Sequence, residues 1–417
     1  MNKFSLEKCV FFLLAIAGIQ WVFFPGHTTR VAIQFFLFVV ICVLLSGGAT
    51  GLLAKCLDFK KLLWVYFYYG CVVVVHSIFV AKSYEEWRYL SVVFVPTLLF
   101  PVFSMLSAST KSFFYIFEVF IKNVFPLSFI FWFVQTNDKN DGLFYVYYAA
   151  YIYLVSLFFW YSSSKYRIVI LAALISSFAY DLANRANMLS VILSVLILLV
   201  QMIVYKKILF SNSKGREIFS LLRRIFLFGP LVLVAAALLF NFNPFVYIQE
   251  SAGSVVVAED ALGRPLVVDS RTGIYLDAYN YLNKENAWMF GGSAVASPDT
   301  VLAESNEGYD DGRLGGSESG FLTLLVYGGI AYVFIYFAIC YLSSYLAIYS
   351  SNNLLCKSLG VFIAMRWALS FLESPLLLNF LWIVHFVAIG LALCPEFRKL
   401  TDKQLISFGR NNWKCET

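Results

Sequence analysis

The sequence predicts an all-α polytopic membrane protein, with about 12 transmembrane helices and one large external loop. Three observations predict it. Of 417 residues, 60% are hydrophobic and only 13% are charged, roughly half the charge of an average soluble domain. The apolar residues fall in blocks about 20 long, the length a helix needs to cross a hydrocarbon core. The blocks do not alternate apolar with polar positions, as the strands of a membrane barrel do. A water-soluble domain, a disordered chain and a nucleic-acid-binding surface are excluded by the same composition.

The first block, 9–24, reads as an uncleaved span, because its apolar run continues past Ala17, where a signal cleavage would fall, to Phe24. Blocks at 31–53, 62–80, 89–107, 113–135, 143–161, 168–181, 188–205 and 225–242 follow, and 168–181 is the shortest of these, ending at Asp181. Glu118 and Lys122 lie four apart in the fifth block and neutralise one another on one helix face. Residues 243–318 carry no span. Blocks at 319–349, 355–372 and 376–394 complete the set, and the first of them is long enough to tilt or to extend past the membrane. The chain therefore divides into residues 1–242 with nine spans, a loop over 243–318 with short helices and a flap, and residues 319–417 with three spans and a tail.

Charge sets the orientation. With both termini inside, the inner segments hold 20 of the 31 Lys and Arg and the outer ones 9, while Lys122 and Arg366 lie within spans. Positive charge gathers on the cytoplasmic side, so both termini are expected there. Of the 25 acids, 12 fall in the outer loop. All eight cysteines lie outside that loop, which implies no disulfide framework. His27, His76 and His385 are scattered and form no metal-binding motif, and there is no phosphate-binding glycine loop. No metal or cofactor is expected.

Long ordered loops in compact proteins usually carry function, which directs attention to 243–318. Val255–Ala258 reads as a short strand-like run. The segment SRTGIYLDAYNYLNKENAWMFGGS reads as a helix capped by Ser270. The helix has its apolar side at Ile274, Tyr275, Ala278 and Tyr281 or Leu282, and Gly291–Gly292 ends the segment. From Ser293 to Ser317 the chain is polar, acidic and glycine-containing, a flap. Three arginines stand out at the external face. Arg185 sits at the mouth of the eighth span, Arg271 opens the loop helix, and Arg366 lies about 10 Å inside the eleventh span. A charge inside a membrane is costly and marks function by default. Each also has a plainer reading: a headgroup anchor for Arg185, a solvated helix-start charge for Arg271, and an ion pair with Glu373 for Arg366.

Three segments resemble the superfamily of bacterial O-antigen polymerases and O-antigen ligases. They are NRANMLSVILSVLIL, with its arginine at the external start of a span, the Arg-led helix and glycine turn of SRTGIYLDAYNYLNKENAWMFGGS, and ESGFLTLLVYGGIAY. The ligases carry a His, a small polar residue, nine positions, a Gly, two positions, and then Gly, Thr or Tyr. Ser319, Gly329 and Tyr332 match this pattern, but the His position is Glu318. That departure points away from ligase and does not weigh against polymerase, whose members vary more at this site.

The resemblance implies a metal-independent, GT-C-like membrane glycosyltransferase at the periplasmic face of the bacterial inner membrane. It implies that oligosaccharide repeat units on undecaprenyl pyrophosphate are joined, the growing glycan moving en bloc onto the newcomer. Membrane lipids and a chain-length regulator are the implied partners, with no nucleic acid. Arg185 and Arg271 are then catalytic, since guanidinium is always charged and binds a departing pyrophosphate in a fork. Glu318 is the implied general base. Arg366, Arg313, Tyr275, Tyr279 and Trp288 are the implied substrate-binding residues. A ligase acting on lipid A–core and a lipid-linked oligosaccharide flippase are the alternatives, the latter expected to show duplicated halves.

Overall fold

The computed structural model describes residues 57–106, most of 156–175, 185–205, 212–240, 271–296, 319–372, 376, 378 and 380–407. The chain is mostly helical, with no strand among the described residues. The predicted spans 9–24, 31–53, 113–135 and most of 143–161 lie outside them, as do Glu118, Lys122, the run Val255–Ala258 and most of the flap. Four helical stretches are long and apolar enough to cross a membrane: Lys60–Val80, Tyr84–Met105, Gly215–Ala237 and Gly320–Tyr349. Val191–Val204 and Leu381–Leu393 are shorter apolar helices.

Helix α1 (Lys60–Val80) shows why these are membrane-type helices. Leu63, Tyr66, Gly70, Val73 and Ser77 form a buried stripe at three- and four-residue spacing. The opposite face is apolar too, with Val65, Tyr68, Val72, Val75 and Phe79 exposed. A helix that is apolar all round belongs in a core or a bilayer.

The stretch Tyr84–Met105 (α2) starts in a capping box. Ser83 accepts from the Glu86 amide, and the Glu86 carboxylate accepts from the Ser83 amide. It then passes through a π turn (Leu90–Phe94) and a 3₁₀ turn (Val95–Leu99) before resuming as α-helix at Phe100. Pro96 accounts for the change, because its ring displaces the preceding carbonyl and it has no N–H to continue the ladder.

Helix α3 (Arg185–Tyr205) pairs with α4 (Asn212–Phe240). A Cβ on Gly215 would lie 3.2 Å from Val204, so the two helices meet closely beside their connection. Helix α4 begins 13 residues before the predicted span at 225–242, since the basic stretch ahead of the span is helical as well. There Arg223 is buried, stacked 4.5 Å over the Tyr341 ring and bonded to Ser344 Oγ and the Tyr341 carbonyl.

Helix α5 (Arg271–Lys284) precedes α6 (Gly320–Tyr349), α7 (Leu354–Leu369), α8 (Phe380–Leu393) and the short α9 (Pro395–Lys399). Helices α6 and α7 form an antiparallel hairpin. Asn353 caps α7 through the Cys356 amide (2.7 Å) and donates to the carbonyls of Phe397 and Leu400, fastening the turn to α9. Gly360 admits Ala347 and Ile348 at close range. In lipid such close fit, rather than escape from water, holds helices together. The core is correspondingly aromatic: Tyr66 stacks on Tyr332 (4.8 Å), and Phe100 on Phe386 (5.0 Å).

Candidate functional site

The predicted span 319–349 is one helix by its ends and two by its backbone. Gly329 has φ 68° and ψ −171°, which breaks α6 into a short arm (320–328) and a long arm (330–349). The bend is sharp. The Trp367 indole lies 6.2 Å from the Phe321 ring and 5.1 Å from the Phe337 ring, so those two rings are at most about 11 Å apart. A straight helix would separate their α-carbons by about 24 Å. The short arm folds back toward α7.

A broken helix exposes amides and carbonyls that lipid cannot satisfy. The segment after α5 satisfies them. Trp288 O accepts from the Ile330 amide (2.8 Å), and Met289 O accepts from the Ala331 amide (3.2 Å). The Gly292 amide donates to Val326 O (2.8 Å), and Tyr69 Oη donates to Gly328 O (2.7 Å). Gly291 (φ 78°) and Gly329 press backbone against backbone, leaving no room for a Cβ on either. One more bond, from the Ala294 amide to Ser77 Oγ, ties the segment to α1.

A second convergence lies at the end of α7. The carbonyl of Ser370 accepts from Ser319 Oγ (2.8 Å) and from the Phe321 amide (2.9 Å). The neighbouring carbonyl of Phe371 accepts from Tyr275 Oη (2.7 Å). Ser319 also caps α6. Two adjacent carbonyls therefore fix the starts of α5 and α6 to the C-terminal end of α7. Arg271 is four residues before Tyr275 and begins α5, and Glu318 immediately precedes Ser319. Arg271's side chain and Glu318 itself lie outside the described residues, as do Arg313 and Glu373.

Arg185 begins α3. Near the other end of that helix, Gln201 Nε2 donates to Ser358 Oγ (2.9 Å) near the start of α7. Arg185 lies about 24 Å from Gln201 along the helix axis. Its side chain also lies outside the described residues.

Arg366 is buried inside the bundle with its guanidinium 5.7 Å over the Trp382 ring, close to Tyr336 and His385. Tyr336 Oη and His385 Nε2 are 2.9 Å apart. This position puts a positive charge beneath the end of α7, one helical turn below Ser370, whose amide donates to Arg366 O. At 2% exposed and packed against Trp382, Arg366 presents no open face.

The aromatic candidates separate by environment. The Tyr275 hydroxyl is bonded to backbone and positions α5. Trp288 is held by its indole N–H on Asn283 Oδ1 (2.9 Å), and Tyr279 meets its ring edge-on at 5.7 Å. Tyr279 is exposed, so this pair offers an aromatic surface of the type on which sugar rings stack. The predicted apolar side of α5 is seen as read: Ala278 and Leu282 are buried, and Ile274, Tyr275 and Tyr281 half-buried. The helix ends at Lys284, and Gly291–Gly292, at the end of the segment, docks the following turn on α6. Burial holds the Asp277 carboxyl above its ordinary value, and burial, then the charge of Glu285, raises the Tyr281 phenol.

The described residues contain no cluster of His, Cys, Asp and Glu able to hold a metal ion. Sequence reasoning missed the break at Gly329 and the anchoring pair Ser370–Phe371. A signal for the break was present in a block of 31 residues where about 20 suffice to span, interrupted by Gly328–Gly329. No protein-family model, curated protein or solved structure matches this chain.

Proposed function

We propose that the chain is a polysaccharide polymerase of the O-antigen type, a metal-independent glycosyltransferase of the bacterial inner membrane. It joins oligosaccharide repeat units carried on undecaprenyl pyrophosphate at the periplasmic face. The observation that carries the reading is the convergence on Ser370 and Phe371 of α5, led by Arg271, and of α6, preceded by Glu318. These are the two helix starts for which the sequence resemblance implies catalytic residues.

The chemistry follows from those residue types. The hydroxyl of the incoming unit attacks the anomeric carbon of the growing glycan, and its proton passes to the Glu318 carboxylate. The bond from that carbon to the pyrophosphate oxygen breaks, and the electron pair leaves with undecaprenyl pyrophosphate. Negative charge grows on the leaving group, so preorganised guanidinium groups lower the barrier by meeting it where it develops. Arg271 and Arg185 supply this, and buried Arg366 adds a fixed positive field from beneath. Arg313, in the acidic segment before α6, is the remaining basic residue that the resemblance implies for substrate binding. A single displacement inverts the anomeric centre. Transfer to lipid A–core is disfavoured by Glu318 at the ligase histidine position.

A deletion strain complemented with variants tests the reading. Arg271→Ala and Glu318→Gln are expected to leave one repeat unit on the lipid core, and Arg271→Lys to lose most polymer because an ammonium cannot form the fork. Full polymer yield and length from both Arg271→Ala and Glu318→Gln would remove the catalytic assignment. Polymer accumulating on the carrier lipid in the deletion strain would indicate a ligase, and no external sugar at all a flippase.

A further inference from the structure

The turn that seals the broken helix has an exposed apolar tip. Asn283, Lys284, Glu285 and Asn286 are exposed and polar, and immediately after the buried Ala287 and half-buried Trp288 the exposure passes to Met289 and Phe290, at 58% and 69%. The backbone on both sides of them is held: Trp288 O and Met289 O accept from the Ile330 and Ala331 amides at the first turn of the long arm of α6, and the Gly292 amide donates to Val326 O. That arm, 330–349, is 20 residues long, and its length of about 30 Å matches the hydrocarbon core of a bilayer. Its own outward residues at this level are Ile330 and Phe334, exposed at 46% and 66%. Phe79 of α1, two residues beyond the Ser77 that binds the Ala294 amide, is also exposed.

We infer that Met289 and Phe290 form a wedge seated among the acyl chains of the outer leaflet, continuous with the lipid-facing surface of α6. The wedge anchors the turn after α5 at the membrane boundary, with Trp288 at headgroup level. Aromatic rings favour that level. The polar residues 283–286 remain in water above it. In the enzyme reading, this keeps the Arg271 helix at the height where the pyrophosphate of a membrane-borne substrate lies. The inference rests on that reading only for the leaflet and for α6 crossing the membrane. The occupant is bulk phospholipid, not the prenyl chain of a substrate.

The test uses the full chain in vesicles of phosphatidylethanolamine and phosphatidylglycerol, which contain no prenyl carrier. Benzoylphenylalanine replaces Phe290, Phe334 or Asn280 in separate proteins. Irradiation is followed by intact-mass measurement. The expected result is a phospholipid adduct at positions 290 and 334 and none at exposed, polar Asn280. An adduct at 334 without one at 290 overturns the wedge while leaving the membrane span in place. Equal adducts at 280 and 290 also overturn it, since the whole turn would then lie in lipid. Absence at 334 removes the span and the wedge together. A protein–protein crosslink at 290 in place of lipid assigns the patch to a partner and overturns it. Enzyme activity is not read in any arm, so failure here is distinct from failure of the polymerase reading.

Discussion

Replacing Gly329 with alanine strikes the contact that holds the loop to the broken helix. Its φ of 68° and ψ of −171° fall where only glycine sits comfortably, and forcing another residue there costs about 1–3 kcal/mol. A Cβ would also lie 2.5 Å from Phe290 N and closer still to the Met289 carbonyl, backbone atoms that cannot swing aside. The turn must lift, losing the bonds from Ile330 to Trp288 and from Ala331 to Met289, each contributing about 0.5–1.5 kcal/mol net. Together the strain and the lost bonds amount to about 2–6 kcal/mol for Gly329→Ala. Hydrogen exchange read by mass spectrometry on peptides covering 287–293 and 325–333 reports this directly. At a factor of ten per 1.4 kcal/mol, exchange there should accelerate about thirtyfold or more. Gly229→Ala is the control, because a Cβ at that position of α4 meets nothing within 4 Å. It should leave exchange unchanged or stabilise α4 by about 0.5–1 kcal/mol. Unaltered exchange in Gly329→Ala would refute the docking of the turn on the break.

Other outcomes follow from the same contacts. Gly291→Ala should mimic Gly329→Ala, and the double variant should cost little more than either alone, since both release one turn; full additivity in a melting series would contradict a shared contact. Tyr275→Phe removes the bond to Phe371 O, so a loss of about 1 kcal/mol is expected, with polymer yield falling more than expression; unchanged yield would detach α5 from the site. Ser319→Ala loses both the cap and the link to Ser370 O and should cost about 0.5–2 kcal/mol, read as a lower melting temperature in detergent. Burial raises the Asp277 carboxyl in the folded state, so its contribution to stability is present at low pH and is lost as pH rises from the ordinary carboxylate value through the raised one. Asp277→Asn should flatten the melting-temperature profile across that window and leave it unchanged at lower pH; an identical slope in both proteins would show that Asp277 is not its source.

Hydropathy made the membrane-type helices legible because burial in lipid acts on every side chain of a span, as the all-round apolar α1 shows. It was blind to the first half of α4, where a helix runs through basic residues and Arg223 is buried by stacking on Tyr341 rather than by charge pairing. The periodicity of α5 identified its buried side, since Ala278 and Leu282 repeat at helical spacing. The helix ends at Lys284, and Gly291 farther along the segment serves close approach to α6. The assembly of the candidate site was not legible in the sequence. What gathers the starts of α5 and α6 is a pair of backbone carbonyls, at Ser370 and Phe371, and any residue type supplies a carbonyl. Arg366 likewise gave no sign of its aromatic neighbour, because Trp382 comes from the following helix.

The central claim, glycan polymerisation by this chain alone, is tested most directly with purified protein in lipid vesicles, given a single undecaprenyl-pyrophosphate-linked repeat unit. Products are resolved by size. A ladder of glycans spaced by one repeat unit, formed without added nucleotide or divalent metal and abolished by Glu318→Gln, is the predicted result. Unconsumed substrate in vesicles of folded wild-type protein, or a ladder that persists unchanged in Glu318→Gln, would contradict it.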